Sequence, residues 1–332
     1  MSRLNELRLI ARVAQMYHIE GARQADIARH LRMSQATVSR MLKKAVEEEI
    51  VRTTVVSPSG TYADLETAIR DAFGIVEVIV VECSEDRDGA IMARIGEAAA
   101  HFLEATLQPA EIIGVSSWSE TILRMVDNIH PMKGGRAKHV VQTLGGMGDP
   151  TVQIHANQLT TRLARLTGAE AHLLSAPGVA QSREAKLVLL SDAYVRETMD
   201  LFGKITLAIV GIGAMEPSSM LARSGNVFSS RELADIAEAG GVGDMSLRFF
   251  DADGATVKTP LDDRVIGMSL ESLENVDRVI ALAGGRSKTQ AIRGALRTGA
   301  INVLITDKFT AERLVADNPP DASKEGEQDA QV

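Results

Sequence analysis

The chain has 332 residues, 45% hydrophobic and 24% charged, with a formal net charge of −8 at pH 7. That length suits a small module plus one large α/β domain. The charge excludes a uniformly basic nucleic-acid binder and leaves room for a local basic patch. A single cysteine, Cys83, excludes a disulfide framework and a cysteine-rich zinc site. No apolar run approaches the roughly 20 residues of a membrane span, and the charged N-terminus has no apolar signal core. The expected location is therefore cytoplasmic.

The charge is uneven. Residues 1–52 hold ten Lys/Arg (Arg3, Arg8, Arg12, Arg23, Arg29, Arg32, Arg40, Lys43, Lys44, Arg52) against six acids, a balance of +4 that leaves −12 for the rest. In this basic window Leu4, Leu7, Ile10, Ala11, Ala14 and Tyr17 recur at helical spacing and predict a first helix over about 4–17. Gln24 to Arg32 reads as a short helix with Ile27, Ala28 and Leu31 inward. Ser34 is an N-cap for a third, because its hydroxyl can accept a backbone N–H of the first turn. That helix buries Val38, Met41, Leu42 and Ala45, and its outer face offers Gln35, Ala36, Thr37, Ser39, Arg40, Lys43 and Lys44. Two short helices at a steep angle, the second basic and solvent-facing, describe a helix-turn-helix. Residues near the N-terminus of such a second helix read base edges, Gln pairing with adenine and Arg with guanine. Lys43 and Lys44 suit phosphates, which position the protein without reading sequence. The following IVRTTVVS predicts a strand, a wing.

The residues Tyr17, Gln24, Ile27, Ala28, Leu31, Ser34, Gln35, Thr37, Val38, Ser39, Arg40 and Leu42 resemble the DNA-binding helix-turn-helix of bacterial regulators of the SorC type. One departure is Arg32, at the turn position that the family usually fills with glycine. If the backbone there needs positive φ, a side chain costs about 1 kcal/mol.

Ser57-Pro58-Ser59-Gly60 is a turn-rich break. Beyond it, apolar runs at 76–81, 112–115, 139–144, 172–175, 205–210, 278–283 and 301–305 predict strands, and 88–107, 157–166, 231–238 and 289–297 predict helices. Continuous apolar strands alternating with helices mean a mainly parallel sheet covered on both faces. MSLRFFDADGATVKTP reads instead as a hairpin around Asp253-Gly254. The strand ends carry small or glycine-containing turns: Ser116-Ser117-Trp118, Gly145-Gly146, Pro177-Gly178, Gly211-Ile212-Gly213, Gly284-Gly285 and Thr306-Asp307. Beyond the carboxyl ends of a parallel sheet, such turns and helix N-termini suit a small anion such as a phosphate. Lys288 follows Gly284-Gly285 and opens a helix, adding an amine to that dipole.

The segments IIGVSSWSETI, VVQTLGGMG, HANQLTTRLA, LSAPG, IVGIGAM, GGVGDMSLRFFDADG, VIGMSLESL, ALAGGRSKTQAIRGAL and INVLITD, in this order, resemble the SorC-type effector domain. That domain is Rossmann-like and akin to glucosamine-6-phosphate deaminase and ribose-5-phosphate isomerase. The resemblance implies an operon regulator, of carbohydrate or polyol catabolism, whose large domain binds a phosphorylated sugar or polyol and forms a dimer or tetramer. It implies a phosphate near Gly145, Gly146 and Lys288, with Ser116, Ser117 and Thr121 lining the pocket. Arg162 is expected either to reach in or to make a surface ion pair, Asp244 to accept sugar hydroxyls, and Asn157 either to do likewise or to cap a helix. Where the family usually has Gly-Trp-Gly and then Arg, this chain has Ser117-Trp118-Ser119-Glu120. The division implied is a DNA-binding domain over 1–56, a linker over 57–60, an effector and oligomerisation domain over 61–316, and a disordered tail over 317–332.

An enzyme is the competing reading, a sugar-phosphate isomerase or deaminase on the same fold. It needs a carboxylate or His base at the reacting carbon; Asp149, Asp244, Asp262 and His155 are available, but no local constellation marks them. A nicotinamide dehydrogenase fails on detail, because Gly211-Ile212-Gly213-Ala214-Met215-Glu216 puts Glu where the third fingerprint glycine belongs. No cofactor and no metal are expected.

Overall fold

The computed structural model describes residues 3–52, 58, 60–132, 134–146, 150–215 and 229–316. The chain divides into two compact units, 1–58 and 59–332.

The first unit holds α1 (Arg3–His18), α2 (Gln24–His30) and α3 (Gln35–Glu47). Its core is Ile10, Val13, Ala14, Ile27, Ala28, Val38, Leu42 and Ala45, all buried. The second and third helices bury the expected stripes. The first is rotated: Val13 and Met16 are buried, whereas Leu4, Ala11 and Tyr17 are exposed. The start of α1 meets α3 and the residue after it through charged groups, Glu6 with Lys44 and Arg3 with Glu48, and Leu4 there stays in solvent. The Ser34 Oγ accepts the Thr37 N–H at 3.1 Å and starts α3 as its cap. Residues 50–52 form no strand, and the remainder of the expected wing, 53–57, lies outside the described residues, as does the tail from 317.

The second unit is built on seven parallel strands: β1 (Glu77–Val81), β2 (Glu111–Val115), β3 (Ala137–Gln142), β4 (Glu170–His172), β5 (Leu207–Gly211), β9 (Arg278–Leu282) and β10 (Val303–Asp307). Their order is β1-β10-β9-β5-β2-β3-β4. A small antiparallel sheet of β6 (Gly213–Ala214), β7 (Gly241–Met245) and β8 (Arg248–Asp251) interrupts the parallel series. The helices are α4 (Ala63–Phe73), α5 (Asp88–Thr106), α6 (Glu120–Asn128), α7 (Pro150–Thr167), α8 (Arg183–Ser191), α9 (Ala193–Met199), α10 (Ser230–Glu238), α11 (Leu270–Glu274), α12 (Thr289–Arg297) and α13 (Lys308–Ala316).

Alternation along the strands makes two cores. Leu207, Ile209, Ile280, Leu282, Val303 and Ile305 point to the face covered by α5, α6 and α7. Ala208, Val210, Val279, Ala281 and Leu304 point to the face covered by α4, α9, α12 and α13. Successive side chains leave opposite sides of a strand, so an apolar run with no polar alternation is the signature of a sheet buried twice. Each fully buried Ile or Leu contributes about 1.5–3 kcal/mol by leaving water.

The expected hairpin forms, and another turn precedes it. The turn between β7 and β8 is Ser246-Leu247, with φ of 54° and 63°. Asp253-Gly254 closes the expected one: the Asp251 N–H donates to Ala255 O at 3.0 Å, the Val257 N–H to Phe249 O at 2.9 Å, and Phe250 bridges Thr256 antiparallel. An Asp-Gly pair is a strong local turn signal; Ser246-Leu247 carries none, and there the Asp244 Oδ2 accepts the Leu247 N–H at 2.9 Å and holds the turn in its left-handed form.

Arg32, between α2 and α3, has φ 53°. A side chain in this region is strained by about 1–2 kcal/mol, of which glycine's greater unfolded entropy returns about half. Arg32→Gly should therefore stabilise the first unit by about 0.5–1 kcal/mol, and Arg32→Val should destabilise it by at least as much. Denaturant unfolding of the three chains, followed by helical circular dichroism, checks the order.

Candidate functional site

The sheet order reverses at β2. The chain leaves β2 toward β3 and β4, then returns on its other side with β5, β9 and β10. Connections that diverge in this way open a crevice beyond the carboxyl ends of the strands. Here it is a cavity of about 620 Å³. Ser116, Trp118, Ser119, Glu120 and Thr121 line it after β2, and Gly211 to Met215 after β5. Gly284, Ser287, Lys288 and Gln290 line it after β9, Asp88 and Met92 from the start of α5, and Asp244, Ser246 and Leu247 from the hairpin.

Three helices begin at this cavity. Asp88 is the first residue of α5 and Glu120 the first of α6, while Lys288 ends a 3₁₀ turn, Arg286–Lys288, that leads into α12. Helix N-termini carry partial positive charge, which suits the two carboxylates and opposes the ammonium. Lys288 shares the cavity with Asp244, Asp88 and Glu120: burial lowers its pKa, and these three carboxylates raise it in part. Asp244 is buried, and burial pushes its carboxyl up to about 6, against the pull of the Leu247 N–H and the Lys288 ammonium. Asp244 and Gly213 are cross-strand partners. A Cβ at Gly213 would lie 2.0 Å from the Asp244 Oδ1, so only glycine fits opposite that carboxylate. The buried Ser246 hydroxyl has no hydrogen-bond partner among the described residues and lines the same wall. Hydroxyls, carboxylates and one ammonium around a half-enclosed space are what a polyhydroxylated ligand requires, donor and acceptor by turns.

In the first unit, Gln35, Ala36, Ser39, Arg40 and Lys43 are exposed along α3, and Thr37 and Lys44 are partly covered. Thr37 shares its hydroxyl with Ser34 at 2.8 Å, and an Arg40 Nη lies 3.5 Å from it. Lys43 approaches Glu47 at 3.8 Å, an exposed pair. Lys44 reaches back to Glu6 on α1 at 2.6 Å, a bond that raises the lysine pKa and lowers that of the acid.

Residues 57–316 match the family described as "Putative sugar-binding domain". The erythritol catabolism regulatory protein EryD of Brucella abortus is 31% identical over 311 residues, 92% of this chain and 96% of that protein. The full-length sorbitol operon regulator SorC of Klebsiella pneumoniae, a crystal structure, superposes with a TM-score of 0.70 at 28% identity, over 93% of this chain and 98% of that one. The sugar-binding domain of the DeoR regulator from Pseudomonas syringae pv. tomato is 41% identical, covering 77% of this chain and 100% of that domain, with a TM-score of 0.62. This chain belongs to the SorC-type family of transcriptional regulators. As a SorC-type regulator it is a DNA-binding protein with a sugar-binding domain, and its relatives are named as regulators rather than enzymes. No helix among the described residues is long and apolar enough to cross a membrane.

Of the effector residues expected from the sequence, Ser116, Thr121, Asp244 and Lys288 come together in the cavity of this SorC-type regulator. The others do not line it. Ser117 is fully buried and shares a hydrogen bond of 2.8 Å with Thr160 on α7. The Gly145 N–H donates to Ile266 O at 3.0 Å and the Gly146 N–H to Ala176 O at 2.9 Å, so neither amide is available to a phosphate. Their small size serves packing: a Cβ on Gly145 would lie 2.5 Å from Pro177 O, and one on Gly146 2.9 Å from the Trp118 ring. The indole N–H of Trp118 donates to Gly145 O at 3.1 Å, tying this loop to the cavity wall. Asn157 is half-buried on α7, away from the lining. Arg162 pairs with Asp127 on α6 and lines a separate groove between α6 and α7. Asp88, Ser246 and Gln290 are cavity residues the sequence did not single out. The signal for Asp88 was present, since it opens the helix after β1, at the carboxyl side of the sheet.

Asp244 has a consequence for stability. Its folded pKa of about 6 exceeds the ordinary 3.8, so the folded state holds the proton more tightly. The contribution is fully present below pH 4 and is lost as pH rises through 6, leaving a burial cost on the order of 2–3 kcal/mol at pH 7. Asp244→Asn keeps an acceptor for the Leu247 N–H and removes that cost. The variant should be more stable than the parent by about 2 kcal/mol at pH 7 and no more stable at pH 4. Urea midpoints at the two pH values give the comparison.

Proposed function

We propose that this SorC-type regulator reads operator DNA with α3 and is controlled by a phosphorylated sugar or polyol held in the cavity beyond β2, β5 and β9. The observation that carries the reading is that Lys288 lines one cavity with Asp244, Asp88 and Glu120 at the point where the sheet order reverses. The phosphate belongs at Lys288 and the N-terminus of α12, where amine and dipole both favour an anion. The hydroxyls belong along Ser116, Thr121, Asp88 and Asp244. Relatives named for erythritol and sorbitol support a polyol chain. A second form of the ligand, uncharged, is favoured by one count: the described lining sets three carboxylates against one ammonium. An isomerase or deaminase draws on the same pair, since a buried acid beside a lysine is also catalytic equipment; turnover of sugar phosphates by the purified protein would establish it. A regulator of operon DNA works in the cytoplasm.

Residues 1–56 act as the DNA-binding module and 61–316 as the effector module in this reading. On α3, Gln35, Ala36, Thr37, Ser39 and Arg40 face the bases and Lys43 the phosphates, with Lys44 exchanging Glu6 for a phosphate on docking. Arg40→Ala should cost about 1–3 kcal/mol in operator affinity and relax sequence preference. Lys43→Ala should weaken all sequences alike and flatten the salt dependence. Lys288→Ala should leave effector-free operator affinity at the parent level and weaken the response to effector about tenfold or more. Titrations of labelled operator, with sugar phosphates and free polyols in turn, test all three. Equal salt slopes in the Arg40 and Lys43 variants would remove the docking, and a full effector response in the Lys288 variant would remove the phosphate site.

One helix-turn-helix covers little of the major groove, whereas paired modules match paired half-sites. We propose a homo-oligomer, dimer or tetramer, joined through the second unit. On α8 no side chain is fully buried, and Leu187 and Val188 are 60% and 70% exposed, with Tyr194 on the adjoining α9 at 75%. A second copy offers the same surface in return under two-fold symmetry. Leu187→Glu with Val188→Glu should shift the chain toward monomer in light scattering at micromolar concentration without unfolding it, because neither side chain is in the core. Unchanged mass would place the interface elsewhere.

A further inference from the structure

We propose that His139, Glu170 and His172 form a binding site for a divalent transition metal of the zinc type at the β3–β4 edge of the sheet. The placement follows from strand register. His139 on β3 lies opposite Glu170 on β4, and His172 follows Glu170 by two residues, opposite Val141. Residues two apart on a strand share a face, and directly opposed residues do too, so the pleat directs all three side chains to one side of the edge.

The atoms that meet are His139 Nδ1, His172 Nε2 and Glu170 Oε2. The two ring nitrogens are 2.9 Å apart. The carboxylate oxygen lies 3.6 Å from the first and 3.8 Å from the second. Those two separations are too long for hydrogen bonds. They are the separations of ligands around one ion: a point equidistant from all three atoms lies about 2.0 Å from each, which is the Zn–N and Zn–O bond length. A bare His–His hydrogen bond accounts for the nitrogen pair and leaves the carboxylate's near-equal approach to both nitrogens without a reason.

Two imidazoles and one carboxylate select zinc, nickel, copper or cobalt over magnesium and calcium, which take oxygen ligands. The ion has a way in, because Glu170 keeps 70% of its side-chain surface exposed and each histidine 17%. Water supplies the fourth ligand. Binding moves the proton between the two rings to the outer nitrogen of the ring that carried it, since a metal-bound neutral imidazole keeps one N–H. None of the three residues lines the effector cavity, so the site is separate from the function proposed above. Its effect is to clip β4, three residues long and at the edge of the sheet, to β3.

The test uses the full chain stripped of metal with a chelator. Zn²⁺ should bind with one more equivalent per chain than in a His139→Gln/His172→Gln variant. At about 100-fold excess over Kd it should raise the Tm by about 5–10 °C. Mg²⁺ and Ca²⁺ should do neither. Co²⁺ in place of Zn²⁺ should give the intense visible absorption of a four-coordinate site. Glu170→Gln, an exposed change that keeps the fold, should weaken the site by more than the roughly 10–100-fold that loss of an outer-shell partner costs. Equal Zn²⁺ stoichiometry and equal Tm shifts in parent and both variants would overturn the proposal, and so would a Co²⁺ spectrum identical to that of the aqueous ion.

Discussion

Burying the Asp244 carboxylate is the constraint around which the cavity is arranged. A carboxylate taken out of water must be given partners or a proton. Asp244 has one backbone donor in Leu247 and one cation in Lys288, and still its pKa stands near 6. Each partner imposes something further. The Leu247 amide reaches the carboxylate only if Ser246 and Leu247 both adopt left-handed backbone, a strain of about 1–2 kcal/mol per residue. The cross-strand position must be glycine. Lys288 must leave solvent at the positive end of a helix, which other carboxylates then have to offset. Strain and desolvation gathered at one place are the mark of a site kept for binding rather than for stability.

The sheet explains why these groups meet. Asp88, Glu120, Asp244 and Lys288 are spread over some two hundred residues of sequence, yet each stands at or just beyond the carboxyl end of a parallel strand or on the hairpin inserted after β5. Parallel strands joined by helices return every connection to the same edge, so residues that start helices become neighbours. The hairpin is fixed to α12 by small residues. A Cβ on Gly243 would lie 2.5 Å from the Cβ of Ala291, and one on Gly294 2.6 Å from Asp251 O. Helix and hairpin therefore touch backbone to backbone, and the Asp244–Lys288 separation is set by packing rather than by the two flexible side chains alone.

This division also marks how far the sequence could be read. Six of the parallel strands were visible as apolar runs, because burial on both faces removes the polar alternation that would blur them; β4, Glu-Ala-His at the sheet edge, meets the expected run only at His172. The helix-turn-helix was visible because the Ser34 cap, the buried stripe and the basic face agree. What was not visible depended on partners distant in sequence. Gly145 and Gly146 have the look of a phosphate loop, but their amides are consumed by Ile266 and Ala176, far along the chain. Lys44 looks like a phosphate contact until α1 brings Glu6 to it. Arg162 faces away from the cavity because α6 offers Asp127 on the other side. The Asp253-Gly254 hairpin, by contrast, was visible because the residues that make its turn are local to it.

The same contrast bears on how an effector would act. The two α12 contacts just described are close-packed, and close-packed interfaces shift between discrete arrangements rather than deforming smoothly. A ligand between Asp244 and Lys288 replaces one set of partners for both groups with another, and so changes the balance of forces on hairpin and helix together. That change is useful only if some arrangement of subunits binds the effector better than another, since a ligand with equal affinity for both states shifts neither. A coupling of about 1–3 kcal/mol, roughly 5- to 150-fold in operator affinity, is within the range that such differential contacts supply. It is also comparable to the cost of keeping Asp244 ionised at neutral pH. A hydroxyl that donates to this carboxylate relieves part of that cost only in the arrangement where it reaches. The energetic penalty stored at Asp244 is thus of the right size to be the source of the coupling.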